Sequence, residues 1–253
     1  MPYNMDHAHG TVMILSWMVF GSTGVLFARY GRVLQLGNQR QLLGKSIWFQ
    51  IHRLLLSLSS LLTLVGFYFI LVHLRGQWSN LNTSNKALLA HVICGSIIIC
   101  CIIIQIWLAL YRCHPHSRFR FIFNFSHRIF GSVAFCLSFC NFFLIAFYLS
   151  VQHIDLVIIV SLWTTWVIIV VILFEIVQYH YRKASALMAL NTRVSHMNAE
   201  PINHNARPDT EAGTHAAIGN QRLNKIKLFL FLIHTIISVA FCIPFIVIIW
   251  HQI

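Results

Sequence analysis

The sequence predicts an all-α integral membrane protein, a bundle of six transmembrane helices, and three observations predict it. First, of 253 residues 58% are hydrophobic and 9% are charged, whereas a soluble domain carries about a quarter charged residues. Second, six apolar runs are each long enough to cross a hydrocarbon core of about 30 Å, which takes about 20 helical residues. Third, the basic residues segregate to alternate connections, as the positive-inside rule requires of a multi-pass chain.

The runs cover residues 11–28, 48–73, 87–111, 128–151, 155–178 and 226–250. The opening MPYNMDHA carries no positive charge and no cleavable-signal pattern, so span one is expected to act as its own insertion signal. The loop Gly76 to Lys86 is polar and holds Asn82-Thr83-Ser84, a glycosylation acceptor sequence. The connection 112–126 is aromatic and basic, with Pro115 expected to stop the third helix. Pro244 is the single kink candidate in span six. Residues 186–225, rich in Asn, Ala, His and Thr, read as a polar, mobile cytoplasmic linker between a membrane core over 1–185 and a sixth helix over 226–253. That linker is too short for a flavin or nicotinamide domain, and no G-x-G-x-x-G occurs. An electron donor would therefore be a small molecule or another protein.

The net charge of +12 does not point to nucleic acid, because its distribution follows topology. Sixteen of the eighteen Lys and Arg residues fall on one side, in the connections after spans one, three and five, and only Arg75 and Lys86 on the other. The rich side is cytoplasmic, which puts both termini outside. Most of these residues read as solvated, orienting charges. No cysteine falls in an outer loop, so no structural disulfide is expected.

Most of the fifteen histidines lie in loops or are placed at or near span ends (His73, His153, His234, His251). Four others form a pattern. His9 and His91 open spans one and three at the outer face; His52 and His127 open spans two and four at the inner face. Ionisable residues in spans are costly and functional by default, and neutral imidazole is a standard axial haem ligand. Two such ligands per iron leave no open position, which favours electron transfer over oxygen binding.

The helix faces agree. Gly95 follows His91 by four residues and Gly131 follows His127 by four, one turn along the same face, where a missing Cβ lets a porphyrin approach the backbone. Fourteen residues after His52, His91 and His127 stand Gly66, Gln105 and Asn141, and fifteen after His9 stands Gly24. A rise of about 21 Å over fourteen helical residues brings each of these small or amide residues to the level of the opposite haem. The alternative is that the glycines pack helices and the amides bond between them.

The residues His9-Gly10, Met13, Trp17, Gly24 and Ala28-Arg29-Tyr30, then Trp48 to Arg53, His91-x-x-x-Gly95, Gln105 and Phe123-Asn124-x-x-His127-x-x-x-Gly131, resemble a cytochrome b561 core. The string Arg112 to Gly131 is most similar to the animal ferric-chelate reductases. The resemblance covers about residues 7–185. It implies two b-type haems, one shared by His9 and His91 and the other by His52 and His127. It implies cytoplasmic ascorbate as donor and ferric chelate or monodehydroascorbate as acceptor, with a homodimer among the expected assemblies. Ferric-chelate reductases place reeler and DOMON-type domains before this core, whereas eight residues precede His9 here.

On the inner side, Arg40, Lys45, Arg53, Arg118 and Arg120 are placed to attract anionic ascorbate. On the outer side, Asp6, His7, His73, His153 and Asp155 are placed to guide ferric iron. Competing readings are a haem-free transporter or channel and an anchor subunit of a larger complex. A transporter is expected to show buried mid-span charges or broken helices, and the span interiors have almost none. A bc-type cytochrome b takes two ligands from each of two helices, whereas here each of four helices gives one.

Overall fold

A computed structural model describes residues 4–31, 41–42, 45–76, 85–111, 118–149, 154–198 and 210–251. Six helices dominate: α1 Met5–Tyr30, α2 Ile47–His73, α3 Lys86–Leu110, α4 Arg120–Leu149, α5 Ile154–Asn198 and α6 Thr210–His251. Each contains a stretch long and apolar enough to cross a membrane. Between α1 and α2 lies a short antiparallel ladder of β1 (Gln41–Leu42) and β2 (Lys45–Ser46), with Gln41 opposite Ser46. Asn82, Cys113, Pro115 and Arg40 lie outside the described residues.

Helices extend beyond the apolar runs. α4 begins at Arg120, inside the stretch read as a connection, so His127 sits two turns into its helix rather than opening it. His9 likewise follows the α1 start at Met5 by one turn. Apolar length marks where a chain enters lipid, and a helix can start in the interface before that point. α5 and α6 run through both ends of the segment read as a mobile linker, to Asn198 and from Thr210.

Local signals fix several ends. Asn85 caps α3, its Oδ1 accepting from the N–H groups of Ala87 (3.0 Å) and Leu88 (3.2 Å). α2 closes with Arg75 and Gly76 in the left-handed region, φ 52° and 69°. Their N–H groups return to Val72 and Leu71 oxygens, which satisfies the last carbonyls of the helix.

α1 packs along α2, α3 along α4 and α5 along α6, whereas α2 and α3 barely meet. α1 is the most enclosed helix. A core of Ile14, Trp17, Met18, Ile98, Cys101, Ile102, Ala134, Phe142, Val160, Trp163 and Phe245 joins it to α3, α4, α5 and α6. Trp163, fully buried, stacks on Phe139 at 4.9 Å and meets the Phe142 edge at 6.0 Å. Trp163→Ala is expected to destabilise the bundle by about 3–5 kcal/mol through the cavity it leaves, read as a fall in thermal unfolding temperature in detergent. At the far end of α1, Glu175 Oε1 accepts from Arg29 (2.9 and 2.6 Å) and from the Tyr30 hydroxyl (2.8 Å), tying α1 to α5.

Two residues depart from their expected settings. Lys227, counted among the solvated charges, is fully buried; its Nζ donates to Gln178 Oε1 at 3.3 Å and lies 5.0 Å from the Tyr181 ring centre. His234, placed near a span end, is fully buried inside α6 against Ser22 Oγ at 3.0 Å. Both lie on the α6 face that packs inward, which counting from the run ends does not reveal.

Candidate functional site

The four singled-out histidines lie on α1 to α4 at two levels. At one level, His9 and His91 line a single cavity of about 400 Å³, with Met13, Trp17, Gly95 and Asn141 in its wall. At the other, the His52 and His127 ring centres stand 6.4 Å apart with their planes perpendicular. Between the levels, Trp17, Ile98, Cys101, Ile102 and Ala134 belong to the apolar core.

The histidines brace neighbouring helices in a reciprocal way. His9 Nδ1 lies 2.8 Å from the Gly66 carbonyl oxygen on α2, and His52 Nδ1 lies 3.0 Å from the Gly24 carbonyl oxygen on α1. His91 Nδ1 lies 3.2 Å from the Asn141 carbonyl oxygen on α4. In return, Gln105 Nε2 on α3 donates to the His127 carbonyl at 2.7 Å. A carbonyl only accepts, so Nδ1 carries the proton in His9, His52 and His91. That leaves the Nε2 lone pair of each as the metal-binding one, the usual way an outer hydrogen bond fixes a ligating imidazole.

These residues fit a haem. Two metal–nitrogen bonds of about 2 Å each, with the reach from each nitrogen to its ring centre, span roughly 6 Å, close to the His52–His127 separation. The glycines divide into two kinds. A Cβ on Gly95 would meet only Asn141 Nδ2 at 3.6 Å, and one on Gly131 only Gln105 Nε2 at 3.5 Å, both ordinary contacts. A Cβ on Gly24 would fall 2.6 Å from Leu56 Cδ2, and one on Gly66 3.1 Å from Met13 Cε. Crowding by Leu55 and Leu56 thus accounts for Gly24 and the Met13 side chain presses on Gly66, whereas at Gly95 and Gly131 a Cβ would fit with ordinary contacts to one amide side chain each. Asn141 Oδ1, in the cavity wall, is buried without a hydrogen-bond partner. Among the described residues, no group of three or more His, Cys, Asp or Glu side chains is arranged to hold a bare metal ion.

The basic residues fare unequally. The Arg53 guanidinium carbon lies 5.9 Å from the Phe49 ring centre, and Phe49 is 6.4 Å from His52. The Arg120 guanidinium carbon lies 5.0 Å from the Phe123 ring centre, and Phe123 stacks on His127 at 6.1 Å. Each histidine of that pair is therefore backed by an aromatic ring and then by an arginine. Arg118 is exposed just before α4. Of Lys45 only the backbone, in β2, is described, and Arg40 lies outside the described residues. At the other level, Asp6, His7 and His73 line the cavity of His9 and His91, and the His7 ring packs 5.6 Å from Trp250. Asp155 is exposed and is not in that wall, and His153 lies outside the described residues.

Sequence reasoning missed the Phe49 and Phe123 backing. Its signal was present: Phe49 precedes His52 by three residues and Phe123 precedes His127 by four, one helical turn in each case. It selected Gly24, Gly66 and Asn141 for their size or amide group and missed that their backbone carbonyls receive the imidazoles.

Comparison with known proteins bears out the sequence resemblance. The chain is 34% identical over 123 residues to putative ferric-chelate reductase 1 of Danio rerio, covering 49% of this chain and 20% of that protein. It is 32% identical over 126 residues to ferric-chelate reductase 1 of Homo sapiens, covering 50% and 20%. A putative ferric-chelate reductase 1 homolog of Drosophila melanogaster is 33% identical over 136 residues, 53% of this chain and 19% of the relative. The matched region is thus about a fifth of the length of these curated relatives. No family model matches the chain, and no solved structure matches it.

Proposed function

We propose that this chain is a transmembrane di-haem oxidoreductase that passes electrons from cytoplasmic ascorbate to ferric chelate on the other side. The observation that carries the reading is the two-level arrangement of opposed histidines on four antiparallel helices, three of them with Nδ1 committed to a neighbouring helix. His9 with His91, and His52 with His127, would each hold one haem b, and these groups would supply one-electron redox chemistry. No Cys-x-x-Cys-His attachment motif occurs, so the haems would be held without covalent bonds.

The protein's own contribution is positioning and field. The carbonyls of Gly24, Gly66 and Asn141 orient the imidazoles and make them more basic ligands. Gly95 and Gly131, without a Cβ on the ligand faces, would leave room for the haems there. Arg53 and Arg120, behind the His52–His127 pair, favour an anionic donor at that end. Ascorbate loses one electron and one proton there and becomes monodehydroascorbate. At the His9–His91 end, where Asp6, His7 and His73 stand at the cavity, ferric iron gains the electron and becomes ferrous. The similarity to proteins named ferric-chelate reductase supports iron as the acceptor.

Ascorbate-loaded vesicles carrying the oriented protein are expected to reduce a membrane-impermeant ferric chelate outside, and more slowly as salt rises, because screening weakens donor attraction. Reduction of external monodehydroascorbate with none of ferric chelate would keep the electron path and remove iron as substrate. A reduced-minus-oxidised spectrum without haem would end the proposal.

A further inference from the structure

One spacing recurs on three of the four histidine helices: fourteen residues separate His52 from Gly66, His91 from Gln105 and His127 from Asn141. On α1 the separation from His9 to Gly24 is fifteen. On an uninterrupted α-helix the extra residue would matter. Fourteen residues turn about 1400°, roughly 40° short of four turns, and a fifteenth adds about 100° and moves the far position to another face. Gly24 has not moved to another face. Its carbonyl receives His52 Nδ1 at 3.0 Å, just as the Gly66 carbonyl receives His9 Nδ1 at 2.8 Å.

The difference is absorbed between the two. Leu15–Gly21 is a π-helix, with α-helical residues Met5–Ile14 before it and Ser22–Tyr30 after it. A π-turn closes i→i+5 hydrogen bonds and so holds one residue more than an α-turn. Neighbouring hydroxyls serve the widened turn. Ser59 Oγ donates to the Ser16 carbonyl at 2.9 Å, and Ser22 Oγ donates to the Met18 carbonyl at 2.7 Å. Ser16 Oγ, fully buried, donates to the Ser59 carbonyl at 2.7 Å and lies 2.8 Å from Thr63 Oγ1. A Cβ at Gly21 would stand 3.2 Å from the Ser16 carbonyl oxygen and from Trp17, so the segment closes tightly at its end.

We propose that Leu15–Gly21 is a one-residue insertion, stored as a π-turn, that positions α1 to serve both haem levels at once. The proposal rests on the di-haem reading above and concerns positioning, not chemistry. Its consequence is specific. Removing one residue inside the π segment returns α1 to an α-helix with the fourteen-residue spacing of the other three helices, and both sites survive. Removing one residue where none is stored rotates one level away from its partner.

The test measures haem-to-protein ratio and the reduced-minus-oxidised spectrum of the purified full chain. Two variants each lack one half-buried residue of the π segment, Phe20 or Leu15. A third lacks Leu61, an exposed residue of α2 between His52 and Gly66. At least one π-segment deletion is expected to keep wild-type haem content and spectrum, while the Leu61 deletion loses one haem or both. Loss of haem in both π-segment deletions, through misfolding or otherwise, overturns the proposal, and so does full retention in the Leu61 deletion. Absence of haem from the wild-type protein would instead overturn the di-haem reading itself.

Discussion

Replacing His91 with alanine is expected to cut haem content by about half, removing the haem of the His9 level and leaving the other in place. Replacing His127 is expected to do the reverse. His9 and His91 line one cavity, while the His52 and His127 ring centres stand 6.4 Å apart at the other level. Apolar side chains fill the bundle between the levels, so loss of one ligand pair leaves the second pair's packing intact. Haem quantitation with a low-temperature reduced spectrum reads the result. In ascorbate-loaded vesicles the His91→Ala protein should accept electrons yet fail to pass them to external ferric chelate. Loss of both haems from either variant, with the bundle still folded, would show that the sites are not independent.

Leucine at Gly131 or Gly95 is expected to abolish or sharply reduce the haem of the corresponding level without removing any ligand. The bundle itself has room at both positions, since an added Cβ makes only ordinary contacts. The rest of a leucine side chain would project from the ligand face into the space assigned to the porphyrin. Gly24→Leu provides the contrast. There an added Cβ already stands 2.6 Å from Leu56 Cδ2 and 3.2 Å from Leu55 Cβ, so overpacking should cost about 1–3 kcal/mol of bundle stability. Thermal unfolding of the haem-free proteins separates the cases: near wild type for Gly131→Leu and Gly95→Leu, lowered for Gly24→Leu. Normal haem content in both Gly131→Leu and Gly95→Leu would assign these glycines to helix packing alone.

What the sequence by itself determined depends on one dimension, distance along a helix axis. Apolar length counts spans, and six runs became six helices. A fixed rise and turn per residue places His9 and His91 at one level and His52 and His127 at another, and puts Gly95 and Gly131 one turn along the ligand faces. Helix boundaries were less legible, because α4 and α5 extend past the lipid-crossing lengths that the runs measure. The tertiary structure alone decided what depends on distances between helices. Gly24 and Gly66 are crowded by neighbouring side chains while Gly95 and Gly131 have room for a Cβ, a difference that no count along the chain contains. The buried settings of His234 and Lys227 have the same origin, since burial is a property of the neighbour. The π-turn joins the two levels of description. The sequence carries a fifteen where the other helices carry fourteen, but an extra residue alone states no geometry. Only the packed partner, with Ser59 meeting the Ser16 carbonyl and His52 meeting Gly24, decides that the surplus is taken up as a wider turn.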